Sequence, residues 1–183
     1  NLEISKKMVL SADFLWTHAK GNITKLQQRN YPRSQDFVVN YRGLDLSHLS
    51  TTKIIWSERP YDFITVCRLI EEKGVMECLH AALELKKSGK KYKYLIVGDG
   101  PMRKKCSDFI HKHDLSDSIS LLGYQPIEVV FELMGSCRYF ILLSEKAGEC
   151  LPNVIKEAMM HQCYILSGRS ESINELIINS DVG

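Results

Sequence analysis

Residues 92–101, "YKYLIVGDGP", run from apolar side chains into two glycines around an aspartate, and then into a proline. Tyr94 to Val97 are apolar without a break. That fits a strand buried on both faces rather than one that alternates between core and water. Pro101 suits the first turn of a helix, and the pattern predicts one over 102–113. Gly98-Asp99-Gly100-Pro101 then reads as a tight strand-to-helix turn. The third glycine of a dinucleotide-binding fingerprint is missing.

Working outward, the same unit recurs. Short β-rich runs, "DFITV" (62–66), "SISLLG" (118–123), "YFILLS" (139–144) and "CYILS" (163–167), alternate with amphipathic stretches. Helices are predicted over 75–87, 102–113, 127–134, 153–161 and 172–178. In the first of them Met76, Leu79, Ala82, Leu83 and Leu85 fall mostly on one face. Strand–helix alternation with uniformly apolar strands predicts an α/β fold, a doubly wound parallel sheet, over residues 62–183. Residues 1–50 read as a separate small α/β piece, with a strand, a helix and a second strand in "DFVVN" (36–40). Residues 51–61 are the expected linker, because "SHLSTTKIIWSERPYD" (47–62) turns polar and meets Pro60 just before the first clear strand. The opening on Asn1 and the close on "NSDVG" make a fragment of a longer protein the expectation.

Composition narrows the function. The chain has 183 residues, 44% hydrophobic and 25% charged, enough for one filled core or a domain and part of another. Its net charge of +2 argues against a nucleic-acid binder. Lysines gather in "KKSGKKYK" (86–93) and "MRKK" (102–105), read first as a solvated face and alternatively as a contact with an acidic membrane surface. The six cysteines form no C-x-x-C pair and have no His neighbours at zinc spacing, and several sit in apolar runs. A reducing cytoplasm is the expected compartment. No apolar run is long enough to span a bilayer. The six histidines show no triad or ligand spacing and are read as structural or solvated.

In a doubly wound sheet, ligands bind beyond the carboxyl ends of the strands. "CRLIEEKG" (67–74) follows one such end and carries Arg68 and Lys73. "GECLPNVIKEAMM" (148–160) follows another and runs into a helix starting near Pro152 and Asn153. That helix's unpaired N–H groups and partial positive charge attract an anion, and the two cations add to the pull. A diphosphate suits this arrangement. Glu157, inside the helix, can accept hydrogen bonds from the two hydroxyls of a ribose, and Glu149 can reach a polyhydroxylated group on the other side.

The stretch "GECLPNVIKEAMM" resembles the E-x7-E signature of the retaining, two-domain (GT-B) glycosyltransferases. "CRLIEEKG" is similar to their G-R-L-x-x-x-K-G loop, "LIVGDGPMRKKC" (95–106) to their strand–GDGP–helix segment, "SISLLGY" (118–124) to their V-x-F-L-G strand, and "NYRGLDLSHL" (40–49) to the N-G-x-D turn closing their first domain. Five motifs in order make the resemblance specific. It implies a Rossmann-like nucleotide-sugar-binding domain over 62–183, truncated at its C-terminal end, with 1–50 a remnant of the acceptor domain. It implies that Arg68 and Lys73 bind the donor diphosphate and act in catalysis with Glu149, which touches the transferred sugar. Gly98, Leu151, Pro152, Asn153 and Glu157 complete the implied donor site. The implied partners are a nucleotide-diphosphate sugar and a glycan or lipid-linked acceptor held by the other domain. No cofactor and no metal are expected, since no D-x-D pair occurs and side chains would stabilise the leaving group.

The sequence departs from the family at Cys67 and Cys150, where glycine is usual, at "HQCYI" (161–165), and at Glu171-Ser172, which replace two glycines of a G-G-x-x-E segment. A carboxylate near a diphosphate repels it. The alternative is therefore a non-catalytic glycosyltransferase-like subunit that scaffolds an active partner. A signalling receiver or a dinucleotide enzyme would need an acidic cluster at the strand ends or an intact G-x-G-x-x-G, and neither is present.

Overall fold

The computed structural model describes residues 11, 15–28, 37–40, 43–44, 54–144, 152–168 and 173–177. Among the described residues there are two parallel sheets. The smaller pairs β1 (Leu15–Thr17) with β2 (Phe37–Val39), joined through helix α1 (Lys20–Gln28). The larger has five strands: β3 (Tyr61–Val66), β4 (Tyr94–Val97), β5 (Ile119–Gly123), β6 (Cys137–Leu142) and β7 (Tyr164–Ser167). All its neighbours are parallel, in the order β5-β4-β3-β6-β7. The chain thus builds outward from β3 in one direction, then returns to β3's other side through β6. That reversal is a topological switch point.

Helices α2 (Val75–Lys87) and α3 (Arg103–Lys112) cover one face, α4 (Ile127–Gly135) and α5 (Asn153–Met160) the other. β4 shows why its run is apolar throughout. Leu95 and Val97 enter the α4–α5 core, while Tyr94 and Ile96 enter the α2–α3 core. Each face of the strand is dry, so each position has to be apolar. A polar network crosses this core. Thr65 Oγ1 donates to Ile141 O at 2.7 Å, so the 2.6 Å contact with Tyr94 must have the tyrosine O–H as donor. This ties β3, β4 and β6 together at mid-sheet.

α2 has the predicted bounds because both ends are punctuated. Gly74, at φ +66°, ends a 3-10 turn over Glu71–Lys73 and admits the helix. Ser88 and Gly89 close it. α3 and α5 are one or two residues shorter than predicted, and β6 starts two residues earlier than its apolar run, at Cys137. Arg138 hid that start. Its guanidinium pairs with Asp62 at 2.6 Å and donates to Ser57 O at 3.0 Å, so a charged residue is accommodated in the strand. Within the predicted 172–178 helix, the described part is a 3-10 turn over Ile173–Glu175.

Candidate functional site

At the carboxyl ends of β3, β4 and β6 lies a cleft of about 540 Å³. Every strand of the switch point contributes to it. β3 supplies Val66 and the loop residues Cys67, Arg68 and Lys73; β4 supplies Val97 and, beyond it, Gly98 and Asp99; β6 supplies Leu142. The floor continues through Val130 of α4, and Asn153, Val154 and Glu157 of α5 form the opposite wall.

Local folding explains why these side chains meet. The loop after β3 and the loop after β4 are sewn together. Cys67 N donates to Val97 O at 3.1 Å, Leu69 N to Asp99 O at 2.9 Å, and Met102 N to Leu69 O at 2.9 Å. Leu69 is fully buried, which anchors the loop between Arg68 and Lys73. Gly98, at φ +131°, packs against Cys67, and a Cβ there would collide with the Cys67 carbonyl. The loop's far end is held as firmly, since Gly74 leaves no room for a side chain against Leu143.

α5 starts at Asn153 with Pro152 as its N-cap. Proline there offers no side-chain acceptor to the first-turn N–H groups, whose partial positive charge attracts an anion. Asn153 and Glu157, four residues apart on α5, both line the cleft. The Glu157 carboxyl is half-buried, and its pKa is raised, first by burial and against the opposing pull of Lys156. Arg68 is exposed and Lys73 half-buried.

The structure therefore brings Arg68, Lys73, Gly98, Asn153 and Glu157 into one cleft. Pro152 sits at the helix entrance instead of in the lining. Glu149 and Leu151 lie outside the described residues, as do Cys150, Glu171 and Ser172. Besides apolar lining residues, sequence reasoning missed Asp99, Tyr124 and Gln125. Asp99 was assigned to the turn alone; its carboxylate accepts from Gly100 N at 2.7 Å and from Arg103 at 3.2 Å, so a neighbouring guanidinium offsets its charge at the cleft edge. Tyr124, 78% exposed, and Gln125 follow the end of β5 at the mouth. Their position after a strand end was the available signal. Among the described residues no group of three or more His, Cys, Asp or Glu side chains is placed to hold a metal ion, and no helix is long and apolar enough to cross a membrane.

Known proteins share this architecture. WcaL of Escherichia coli (strain K12), assigned as a colanic acid biosynthesis glycosyltransferase, is 27% identical over 157 residues, which is 84% of this chain and 38% of WcaL. The amylovoran biosynthesis glycosyltransferase AmsK of Erwinia amylovora is 30% identical over 123 residues, 65% of this chain and 30% of AmsK. The chain thus spans about a third of the length of these relatives. The crystal structure of HepE from Anabaena in complex with UDP and glucose superposes with a TM-score of 0.76 at 18% identity, over 96% of this chain and 50% of that one. The shared element is the Rossmann-like half of a GT-B fold. A family model described as Glycosyl transferases group 1 matches residues 51–183. With that match spanning both the five-stranded sheet and the cleft at its switch point, the chain belongs to the group 1 glycosyl transferases.

Proposed function

We propose that this chain supplies the donor site of a retaining glycosyltransferase, which moves a sugar from a nucleotide-diphosphate sugar to a glycan or lipid-linked acceptor. The observation that carries the reading is the convergence of Arg68, Lys73 and the N-terminal turn of α5 on one cleft with Glu157. Two cations and a helix N-terminus attract a diphosphate. Glu157 accepts the ribose hydroxyls, and its burial strengthens those hydrogen bonds by excluding water. Glu149 is assigned to the transferred sugar by the motif it shares with the family.

The chemistry follows from where charge develops. The bond between the anomeric carbon and the diphosphate breaks through an oxocarbenium-like state, and the departing diphosphate gains negative charge. Donors already aimed at that charge lower the barrier, each by about 3 kcal/mol when preorganised. No metal is invoked, because Arg68, Lys73 and the α5 N–H groups supply the positive field. The acceptor is held by residues outside 62–183, with 1–50 a remnant of that domain and 51–61 the linker. The enzyme works in the cytoplasm, and its lysine clusters provide for peripheral contact with the inner membrane face. HepE's complex with UDP and glucose supports the donor class by analogy of fold.

Calorimetry with UDP-, GDP- and ADP-sugars tests the reading. Binding of one series, weakened by Arg68→Ala and by Lys73→Ala, is the expected result. A folded chain that takes up none of them would overturn it.

A further inference from the structure

Arg59 lies in the segment leading into β3, but its side chain reaches the far end of α5. It is 3% exposed. Nη2 donates to His161 O at 2.8 Å, and Nη1 donates to Gln162 O at 3.2 Å and Cys137 O at 2.7 Å. These three acceptors are backbone carbonyls. His161 is the C-cap of α5, its N–H bonded to Glu157 O at 3.2 Å, and the N–H of Gln162 is bonded to Met159 O at 2.9 Å. Gln162 takes φ +58°, the left-handed turn that closes a helix. Backbone N–H groups of His161, Gln162 and Cys163 already bond the carbonyls of Glu157, Met159 and Ala158, so the guanidinium stands one step further on, on the carbonyls of the cap residue and the next, where the dipole is negative.

The helix needs such support. α5 has eight residues, about two turns, a length at which a helix is not stable by itself. Ile155 and Ala158 bury one side of it, which fixes its face but leaves its axial position to the caps. Pro152 gives no side-chain cap at the N-terminal end. Glu157 stands one turn before His161, and Asn153 one turn before Glu157, so the cap and the cleft wall are two turns apart on one short rod.

Arg59 is itself held in place. Trp56 Nε1 donates to Arg138 O at 3.2 Å, and Arg138 donates to Ser57 O at 3.0 Å and to Asp62 Oδ1 at 2.6 Å. These bonds fix the segment to β6 on either side of Arg59.

We propose that Arg59 is a positioning residue of the cleft: by capping α5 from the segment before β3, it sets where Asn153, Val154 and Glu157 stand against Arg68 and Lys73. The consequence for ligand binding rests on the donor reading; the cap itself does not.

Arg59→Gln and Arg59→Lys in the 183-residue chain test it, through amide hydrogen exchange and calorimetry with UDP. For Arg59→Gln, the amides from Ile155 to Met160 should exchange about tenfold faster while those of Leu95 to Val97 keep the wild-type rate, and the UDP Kd should rise about tenfold. Arg59→Lys, which keeps the charge with a smaller reach, should recover part of both. It also carries the test should Arg59→Gln fail to fold. Equal acceleration in β4 and α5 overturns the proposal, since Arg59 would then be a general stabiliser. So does fast exchange in α5 with an unchanged UDP Kd. If the wild-type chain takes up no UDP, the donor reading falls alone. Acceleration confined to α5 then still supports Arg59 as the holder of this wall, and uniform acceleration overturns it.

Discussion

Gly98 lies directly beneath Cys67, so close that a Cβ on Gly98 would run into the Cys67 carbonyl. The contact is part of what builds the cleft. It lets the β4 loop pass under the β3 loop, with Gly98 N bonded to Gly123 O at 2.7 Å on the other side. Gly98→Ala faces both this collision and a φ of +131° that L-residues rarely adopt. Urea denaturation should show a loss of about 2–4 kcal/mol. A variant as stable as wild type would mean that the two loops separate freely.

The Thr65–Tyr94 hydrogen bond makes a second, finer prediction. Tyr94→Phe removes one donor, leaving Thr65 still bonded to Ile141 O, and should cost about 1 kcal/mol. Thr65→Val removes the acceptor of the Tyr94 hydroxyl and a donor to Ile141 O, both in the core, and should cost about 2–3 kcal/mol. The double variant should cost less than the sum of the two, because each removes the same bond. Equal costs for the two single variants in urea titrations would contradict the donor assignment.

The sheet was legible because its determinants are local. Runs such as Tyr94–Val97 are apolar on both faces, and Gly74, Gly89 and Pro101 mark where helices begin and end. The cleft was legible in outline for the same reason: Arg68, Lys73, Asn153 and Glu157 follow strand ends, where a doubly wound fold gathers its ligand contacts. What was hidden depends on contacts far apart in sequence. Arg59 finds its acceptors 78 to 103 residues away. Arg138 could enter a strand only because Asp62 and Ser57 meet it there. Asp99 serves the turn and the cleft together, and the turn signal masked the second role.

His161 links stability to pH. It is buried, its ring 5.1 Å from that of Phe131, and both burial and the Arg59 guanidinium lower its pKa from the usual 6.5. The folded chain thus prefers the neutral ring, while the unfolded chain takes up a proton near pH 6.5. Stability from this group is complete above that value and is lost as pH falls below it, by at most about 1.4 kcal/mol per pH unit for one proton. Glu157 works the other way, since a raised carboxyl pKa adds stability as pH falls through it. The urea midpoint should therefore drop between pH 7 and 5.5, and His161→Gln should flatten that slope. An identical slope in the variant would assign the titration elsewhere.

Cys67 is the described thiol that shares the cleft with the cations. Cys78, Cys106, Cys137 and Cys163 are buried, and burial raises the pKa of all four, to about 11 for Cys106 and Cys163. At pH 8 those two are thiolate in about one molecule per thousand, and reaction with a maleimide needs the thiolate. Cys67 is half-buried and lines the cleft beside Arg68. N-ethylmaleimide should therefore label Cys67 ahead of the other four, as read by peptide mass mapping. On the proposed donor reading the adduct fills space that a diphosphate needs between Arg68 and α5, so labelled protein should lose UDP binding, and bound UDP should slow the labelling. Cys67→Ser should bind UDP and resist inactivation. Full labelling of Cys67 with UDP affinity intact would place the diphosphate away from the β3 loop, and Arg68 with it.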